Sequence, residues 1–270
     1  LKVVLNFKYE MNILEEIVLQ KRVEVELLKA NTHIDWKQSP YFDLPCRSLK
    51  AVLQNRIGVI AEFKRMSPSL GIINDRVSPL EVALGYQEAG AVAVSILTDR
   101  AFFGGTLEDL LTVREKLQIP ILRKDFMIDE IQLLEAKAKG ADIILLIAAC
   151  LSPTETKNMA QSAKQLGLEV LLEVHNLEEL ESHLNSFVDF VGVNNRNLKT
   201  FEVNIQTSLE LAEKIPAEFV KISESGISKP DTVQELIAAG YQGFLMGEHF
   251  MKTNQPAKTC AAFIRAIAAV

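Results

Sequence analysis

The sequence predicts a closed (β/α)8 barrel preceded by an N-terminal helical extension. Eight short, apolar, β-rich runs alternate with eight helical patterns over about 210 residues. The strand runs are continuously apolar rather than alternating, as in a parallel sheet covered on both faces. Prolines open several of the helical patterns and glycines close them. On these grounds residues 1–57 form the extension and residues 58–270 the barrel, the two making one structural domain. An open doubly wound sheet fits less well, because no G-x-G-x-x-G follows the first strand.

From Met11 to Ala30, Ile13, Leu14, Ile17, Val18, Val25 and Leu28 recur at helical spacing with charges between them, an amphipathic helix. Pro40 and Pro45 mark residues 31–47 as loop, and Ser48 is an N-cap candidate for a short helix running through Gln54. The expected strands are Gly58–Phe63, Ala91–Leu97, Pro120–Leu122, Ile143–Ile147, Leu168–Val174, Phe190–Val193, Phe219–Ile222 and Gly243–Met246. The helical patterns between them are Pro79–Ala89, Leu107–Leu117, Glu130–Lys139, Pro153–Leu166, Leu177–Leu184, Thr207–Lys214, Pro230–Ala239 and Pro256–Ala269. Gly90, Gly140, Gly167 and Gly240 suit helix C′ positions, where positive φ is needed. Pro79, Pro153, Pro230 and Pro256 sit in first turns, where the missing N–H costs nothing.

Composition narrows the function classes. With 48% hydrophobic and 24% charged residues, the 270-residue chain has an ordinary globular balance. A net charge of −6 disfavours non-specific nucleic-acid binding, though not a local basic pocket for a small anion. No apolar run reaches the length of a membrane span, and no secretory signal is recognised, so the expected location is the cytoplasm. Cys46, Cys150 and Cys260 are far apart and form no C-x-x-C, which fits a reducing compartment. Met11 is a candidate natural start, with the first ten residues an extension.

Barrel active sites lie at the C-terminal strand ends, and the polar residues concentrate there. In strand 1, GVIAEFK, Glu62 and Lys64 share parity and face one side. The bland reading of this pair is a structural ion pair. The following stretch, residues 65–78, is long for an unstructured loop, and its Ser67-Pro68-Ser69 offers hydroxyls and backbone amides to a phosphate or makes a plain turn. Lys124 and Asp125 fall where strand 3 opens into its loop. Glu173 sits inside the apolar run of strand 5, where a carboxylate is expensive unless paired or functional. Asn194, Asn195 and Arg196 end strand 6. Glu62, Lys64, Lys124, Glu173 and Asn194 at one mouth make an acid–base set rather than a nucleophilic triad. Ser225-Gly226 and Gly247-Glu248 fall in loops 7 and 8, where barrels bind phosphate through backbone amides; the alternative is two tight turns. His33 and His183 read as solvated, and His249 as lining or supporting loop 8. His175 shares parity with Glu173, but no third metal ligand stands nearby, so no metal is expected.

Together these segments resemble the indole-3-glycerol phosphate synthase family of tryptophan biosynthesis. The resemblance is carried by VIAEFKRMSPSLG (59–71), SILTDRAFFGGTLEDL (95–110), PILRKDF (120–126), GADIILLIA (140–148), LLEVH (171–175), VGVNNRNL (191–198), ISESGI (222–227) and FLMGEHFM (244–251), in the family's order. It implies that the N-terminal extension lies over the barrel mouth. It implies a carboxy-lyase that closes 1-(2-carboxyphenylamino)-1-deoxyribulose 5-phosphate to an indole, losing CO2 and water. Carried over by motif, Lys124 is a general acid at the ketose carbonyl or hydroxyl, and Glu173 serves the dehydration as base or acid. Glu62 and Lys64 flank them, with Lys64 placed to hold the substrate carboxylate or share proton transfer. Asn194 and Arg196 contact the substrate, and Phe103 and Phe126 line an aromatic pocket. Ser67, Ser225, Gly226, Gly247 and Glu248 bind phosphate, Glu248 only through its backbone N–H with its side chain turned away, since members of the family carry Ser there. Ring closure leaves an iminium that can drive CO2 loss, so no cofactor is demanded. The expected partner is a phosphorylated small molecule, with no nucleic acid and no membrane, and a monomer is compatible with the sequence.

Two rivals are weighed against this. A phosphoribosylanthranilate isomerase would be expected to hold Cys at the end of strand 1 and Asp after strand 6, where this chain has Glu62/Lys64 and Asn194. A catalytically silent, phosphate-binding regulator is disfavoured because every matched acid–base position is filled.

Overall fold

The computed structural model describes residues 11–31, 33–198 and 200–269. The ten residues read as an extension before Met11 lie outside them. Eight parallel strands close into a barrel in sequence order. They are β1 (Gly58–Phe63), β2 (Ala93–Leu97), β3 (Ile121–Lys124), β4 (Ile143–Ile147), β5 (Glu169–Val174), β6 (Phe190–Asn194), β7 (Val220–Glu224) and β8 (Gly243–Met246). Before the barrel come α1 (Ile13–Ala30) and α2 (Leu49–Leu53). The outer helices are α3 (Pro79–Glu88), α4 (Leu107–Arg114), α5 (Ile131–Ala138), α6 (Pro153–Gln165), α7 (Leu177–His183), α8 (Gln206–Ala212), α9 (Pro230–Ala238) and α10 (Pro256–Ala268). The four prolines occupy first turns of α3, α6, α9 and α10. The four glycines adopt φ of 96°, 87°, 74° and 92°. Among the described residues no helix is long and apolar enough to cross a membrane.

Three strands run further than their apolar residues. β3 continues to Lys124, β6 to Asn194 and β7 to Glu224, because backbone pairing ignores side-chain polarity: Leu97 registers with Lys124, and Asn194 with Glu224. The polar residues of the mouth therefore stand on rigid strand ends, not in loops. A second difference is local. The segment after β1, expected to be without structure, holds a small antiparallel hairpin in which Met66 pairs Ile72 and Ser67 pairs Gly71, the latter at φ 64°.

Inward-facing Ile60, Leu122, Ile143, Leu145, Leu171, Phe190, Ile222 and Leu245 fill the barrel, and Leu49 and Leu53 of α2 join them from below. Ser48 caps α2 as expected, accepting from the Ala51 amide at 3.0 Å. Glu169, at the opening of β5, accepts from the Leu49 amide at 2.8 Å and so ties this plug to the N-terminal end of the barrel. The larger core cluster lies between strands and outer helices.

At the other end α1 crosses the mouth. Asn12 and Glu15 form its capping box, and Ile13, Leu14 and Ile17 look down on the strand ends. Lys21, one of the charges between its apolar positions, is buried. Its Nζ lies 3.0 Å from Asp99 Oδ2 and 2.8 Å from Asp125 Oδ1. Asp125 also meets Arg123 at 3.0 Å, and Arg123 meets Glu135 at 2.8 Å. Burial opposes the charge on Lys21, but Asp125 and Asp99 outweigh it and hold the ammonium above its ordinary range. Burial would likewise raise Asp125, yet Arg123 and Lys21 hold its carboxyl well below the usual range. Lys21→Met removes one partner of a buried pair, and such losses cost about 3–5 kcal/mol. The expected result is a denaturation midpoint well below that of the unchanged chain at neutral pH. Because the folded Asp125 pKa is depressed, its contribution is complete above the ordinary carboxylate pKa of about 3.9 and is lost only as pH falls towards the folded value. An unmoved midpoint would show that α1 is not held by this clamp.

Candidate active site

Parity along the strands aims one set of side chains at a single point. Glu62 of β1, Lys124 of β3, Glu173 of β5, Asn194 of β6 and Glu224 of β7 all line a cavity of about 150 Å³ beneath α1, with Lys64 just beyond β1. Lys124 Nζ lies 2.9 Å from Glu173 Oε2 and 3.4 Å from Glu224 Oε2. Asn194 Nδ2 donates to Glu173 Oε1 at 2.9 Å. Lys64 Nζ is 2.9 Å from Glu62 Oε1, and Ser95 Oγ donates to Glu62 Oε2 at 3.4 Å. Phe103 and Phe126, their ring centroids 5.9 Å apart, form an apolar wall on the same cavity. The five residues of the expected acid–base set thus converge, and the two phenylalanines flank them.

Sequence reasoning misses Glu224. Strand 7 is expected to end at Ile222, which leaves Glu224 to the loop, yet Ile222 and Glu224 share the inward parity of β7. That parity is the available signal. Glu224 is buried, and its Oε1 has no hydrogen-bond partner among the described residues. Gly192 makes room for it, since a Cβ there would lie 2.3 Å from that oxygen. Burial, reinforced by Glu173 and Glu62 and opposed by Lys124, pushes Glu224 up to about 7. Glu173 behaves oppositely. Burial would raise it, but Lys124, His175 and Asn194 hold it well below the usual range. Lys124 is raised above the lysine range, because Glu173 and Glu224 outweigh its burial. The cluster therefore combines an ionised carboxylate, a carboxyl able to keep a proton near neutrality, and a firmly charged ammonium.

A second cavity of about 490 Å³ adjoins the first, sharing Glu62, Lys64, Arg196, Ser225, Leu245 and Glu248 with it. Ser225, Gly226 and Gly247 line it, whereas Ser67 lies on the first cavity. Ser225 has φ 67° and Gly226 φ 75°. A non-glycine residue in that conformation persists only where its surroundings impose it. Here Asn195 is buried and donates to Ser223 Oγ at 3.0 Å and to Ser225 O at 3.1 Å. Gly247 precedes the short helix Glu248–Met251, whose first amides have no intrahelical acceptor.

Several expectations are corrected. The Glu248 side chain is not turned away. The residue lines both cavities, and its carboxylate pairs with Arg196 Nη2 at 3.0 Å and with Lys252, cations that offset its charge. Arg196 is accordingly committed to Glu248 as well as facing the site. Gly247 is required by more than close approach of an anion, because a Cβ there would lie 2.7 Å from Glu62 Oε1 and 2.8 Å from Glu62 Cβ. Asp125 belongs to the clamp under α1 rather than to an open loop. His183 is buried, not solvated, with Nε2 2.9 Å from Leu151 O. His175 is paired with Glu173 and Glu179, and His249, as expected, lines the cavity at loop 8 while packing against Phe250 and Phe263.

A closed eight-stranded barrel with proton-handling side chains at its C-terminal mouth, beside a glycine-containing cradle, defines the class: a (β/α)8-barrel enzyme of acid–base chemistry. Within that class the chain belongs to the indole-3-glycerol phosphate synthase family, whose model matches residues 14–263. It is 49% identical over 258 residues to the indole-3-glycerol phosphate synthase of Bacteroides thetaiotaomicron, covering 95% of this chain and 99% of that one. It is 42% identical over 253 residues to that of Aquifex aeolicus, covering 91% and 96%. Among solved structures, "Crystal structure of KGPDC from Streptococcus mutans" superposes with a TM-score of 0.61 at 13% identity, covering 80% of this chain and 99% of that one. At that identity the likeness shows the barrel fold alone.

Proposed function

We propose that this chain closes the indole ring of 1-(2-carboxyphenylamino)-1-deoxyribulose 5-phosphate, releasing CO2 and water to form indole-3-glycerol phosphate. The observation that carries the reading is Lys124 Nζ held between Glu173 and Glu224 at the covered mouth. The aromatic carbon bearing the carboxylate attacks the ketose carbonyl, and a carbon–carbon bond forms. The carbonyl oxygen takes a proton from the Lys124 ammonium, which its carboxylate neighbours keep charged. The C–C bond to the carboxylate then breaks, its electron pair quenches the ring iminium, and CO2 leaves. In the dehydration the hydroxyl takes a second proton, from Lys124 recharged by solvent, and departs as water, while Glu173, ionised at neutral pH, removes a proton from the adjacent ring CH2. Lys64, between Glu62 and the shared cavity wall, holds the substrate carboxylate, and Asn194 fixes both Glu173 and the substrate. Phe103 and Phe126 accept the anthranilate ring, whose flat faces suit an aromatic wall.

The phosphate end of the substrate takes the second cavity. Backbone amides of Gly226, Gly247 and Glu248 hold it, Ser225 and Ser67 add hydroxyls, and Arg196 adds charge. Gly247→Val tests this end. Its side chain would meet Glu62 and close the cradle, so KM rises roughly tenfold or more and inorganic phosphate no longer competes. Normal binding by this variant would remove the cradle from the account. The chain acts as a single domain, a barrel with the described helix α1 across its mouth, and works in the cytoplasm, where three free thiols are at home. Purified protein given the ribulose phosphate substrate should develop indole fluorescence; no fluorescence at micromolar enzyme would refute the reading.

A further inference from the structure

The oxygen of Glu173 that Lys124 leaves free has a second charged neighbour. His175, directly after β5, is largely buried, with Nε2 3.4 Å from Glu173 Oε1. Its other nitrogen, Nδ1, is 3.0 Å from Glu179 Oε2, and its backbone N–H donates to the same oxygen at 2.8 Å. Glu179 lies in the first turn of α7, so one carboxylate fixes both the ring and the chain that carries it. Held this way, Nδ1 carries a proton and Nε2 is aimed at Glu173. Nε2 is buried and has no hydrogen bond among the described residues. An unprotonated Nε2 would set a lone pair against a carboxylate oxygen, whereas a protonated one sets an N–H there, so the geometry selects the imidazolium.

We infer that His175, oriented by Glu179, is a positioning residue for the ring-closing reaction: its imidazolium faces Glu173 Oε1 and keeps that carboxylate ionised and aimed at the proton it removes. This rests on Glu173 being the base. The groups facing the ring are Glu173 at the end of its own strand, Glu179 on α7 and Cys150 in the turn after β4, with Glu15 and Arg22 of α1 and Glu202 on the same groove. Burial, with Glu173 and Glu179, pushes the Cys150 thiol up to about 12, so it stays neutral. Burial also opposes charge on His175, but Glu173 and Glu179 outweigh it and lift the ring to about 9. The imidazolium is therefore present throughout the neutral range and is lost as pH rises through about 9.

His175→Gln keeps an amide donor towards Glu173 but neither carries charge nor titrates. The expected result is a kcat lower by roughly ten- to hundredfold with KM within about twofold. The unchanged chain should lose kcat as pH rises through about 9, and that fall should be absent from this variant. Glu179→Gln should move that fall to lower pH. Ring NMR, with His175 assigned by through-bond correlation from its backbone amide, should show the imidazole of the unchanged chain titrating well above about 6.5 and dropping in Glu179→Gln. Variants whose kcat–pH profiles superimpose on that of the unchanged chain, or a ring that titrates at the ordinary value, would overturn the inference. If His175→Gln does not fold, the titration in Glu179→Gln still decides. An unchanged chain that forms no indole at all would instead overturn the proposed function, and the NMR titration would still report the charge on His175.

Discussion

Lys124→Ala lowers kcat by about two to four orders of magnitude, the usual worth of a positioned proton donor. Nothing else in the cluster can replace it. Lys64 is tied to Glu62 at 2.9 Å, and Arg196 is held by Glu248. Alanine also leaves Glu173 and Glu224 facing each other without the cation between them, so both carboxyls shift upward and Glu173 loses part of its readiness to stay ionised. The fold should survive, because Glu173 keeps Asn194 and His175 and the apolar barrel interior is untouched. Lys124→Arg separates charge from proton transfer. A guanidinium satisfies the two carboxylates but does not give up a proton readily. It should therefore restore thermal stability without restoring kcat. Near-normal turnover in either variant, measured by stopped-flow indole fluorescence, would remove Lys124 from the chemistry.

Glu173→Gln is the second large effect. The amide has almost the same shape and still accepts from Asn194 Nδ2, so substrate binding should change little. It cannot exchange a proton, and kcat should fall by about 10²–10⁴-fold with KM within a few-fold. In the unchanged chain the carboxylate is held well below its usual range, so it stays ionised as pH falls through about 4.3, where a free glutamate protonates. Acid loss of activity at mildly acidic pH must then come from other groups. A variant in which KM rises while kcat holds would make Glu173 a binding residue.

What is legible in the sequence, and what is not, follows from range. The alternation of apolar runs with proline-opened, glycine-closed helices is local, and the barrel follows from it. Lys124, Glu173 and Glu62 can be found because a charge inside an apolar run is conspicuous. Glu224 is hidden because its run, ISESGI, looks polar from its second residue, and only strand parity separates Glu224 from the turn beside it. Lys21 reads as one more charge on an amphipathic helix, since its partners Asp99 and Asp125 lie 78 and 104 residues away and are brought under α1 only by barrel closure. Gly247 reads as a turn glycine, but what it avoids is Glu62 across the closure of β1 and β8. The same limit applies to His175. Its spacing to Glu173 is visible, yet the ring's orientation is set by Glu179 and by where α7 docks.

Carboxyl-labelled substrate follows the carbon–carbon bond that must break after ring closure. In a single turnover with enzyme in excess, the unchanged chain should release one labelled CO2 for each indole formed, Lys124→Ala should give neither product on the same timescale, and Glu173→Gln should release labelled CO2 without forming indole. Substrate that the unchanged chain rearranges with its label retained, or consumes without indole fluorescence, would contradict a decarboxylating ring closure at this mouth.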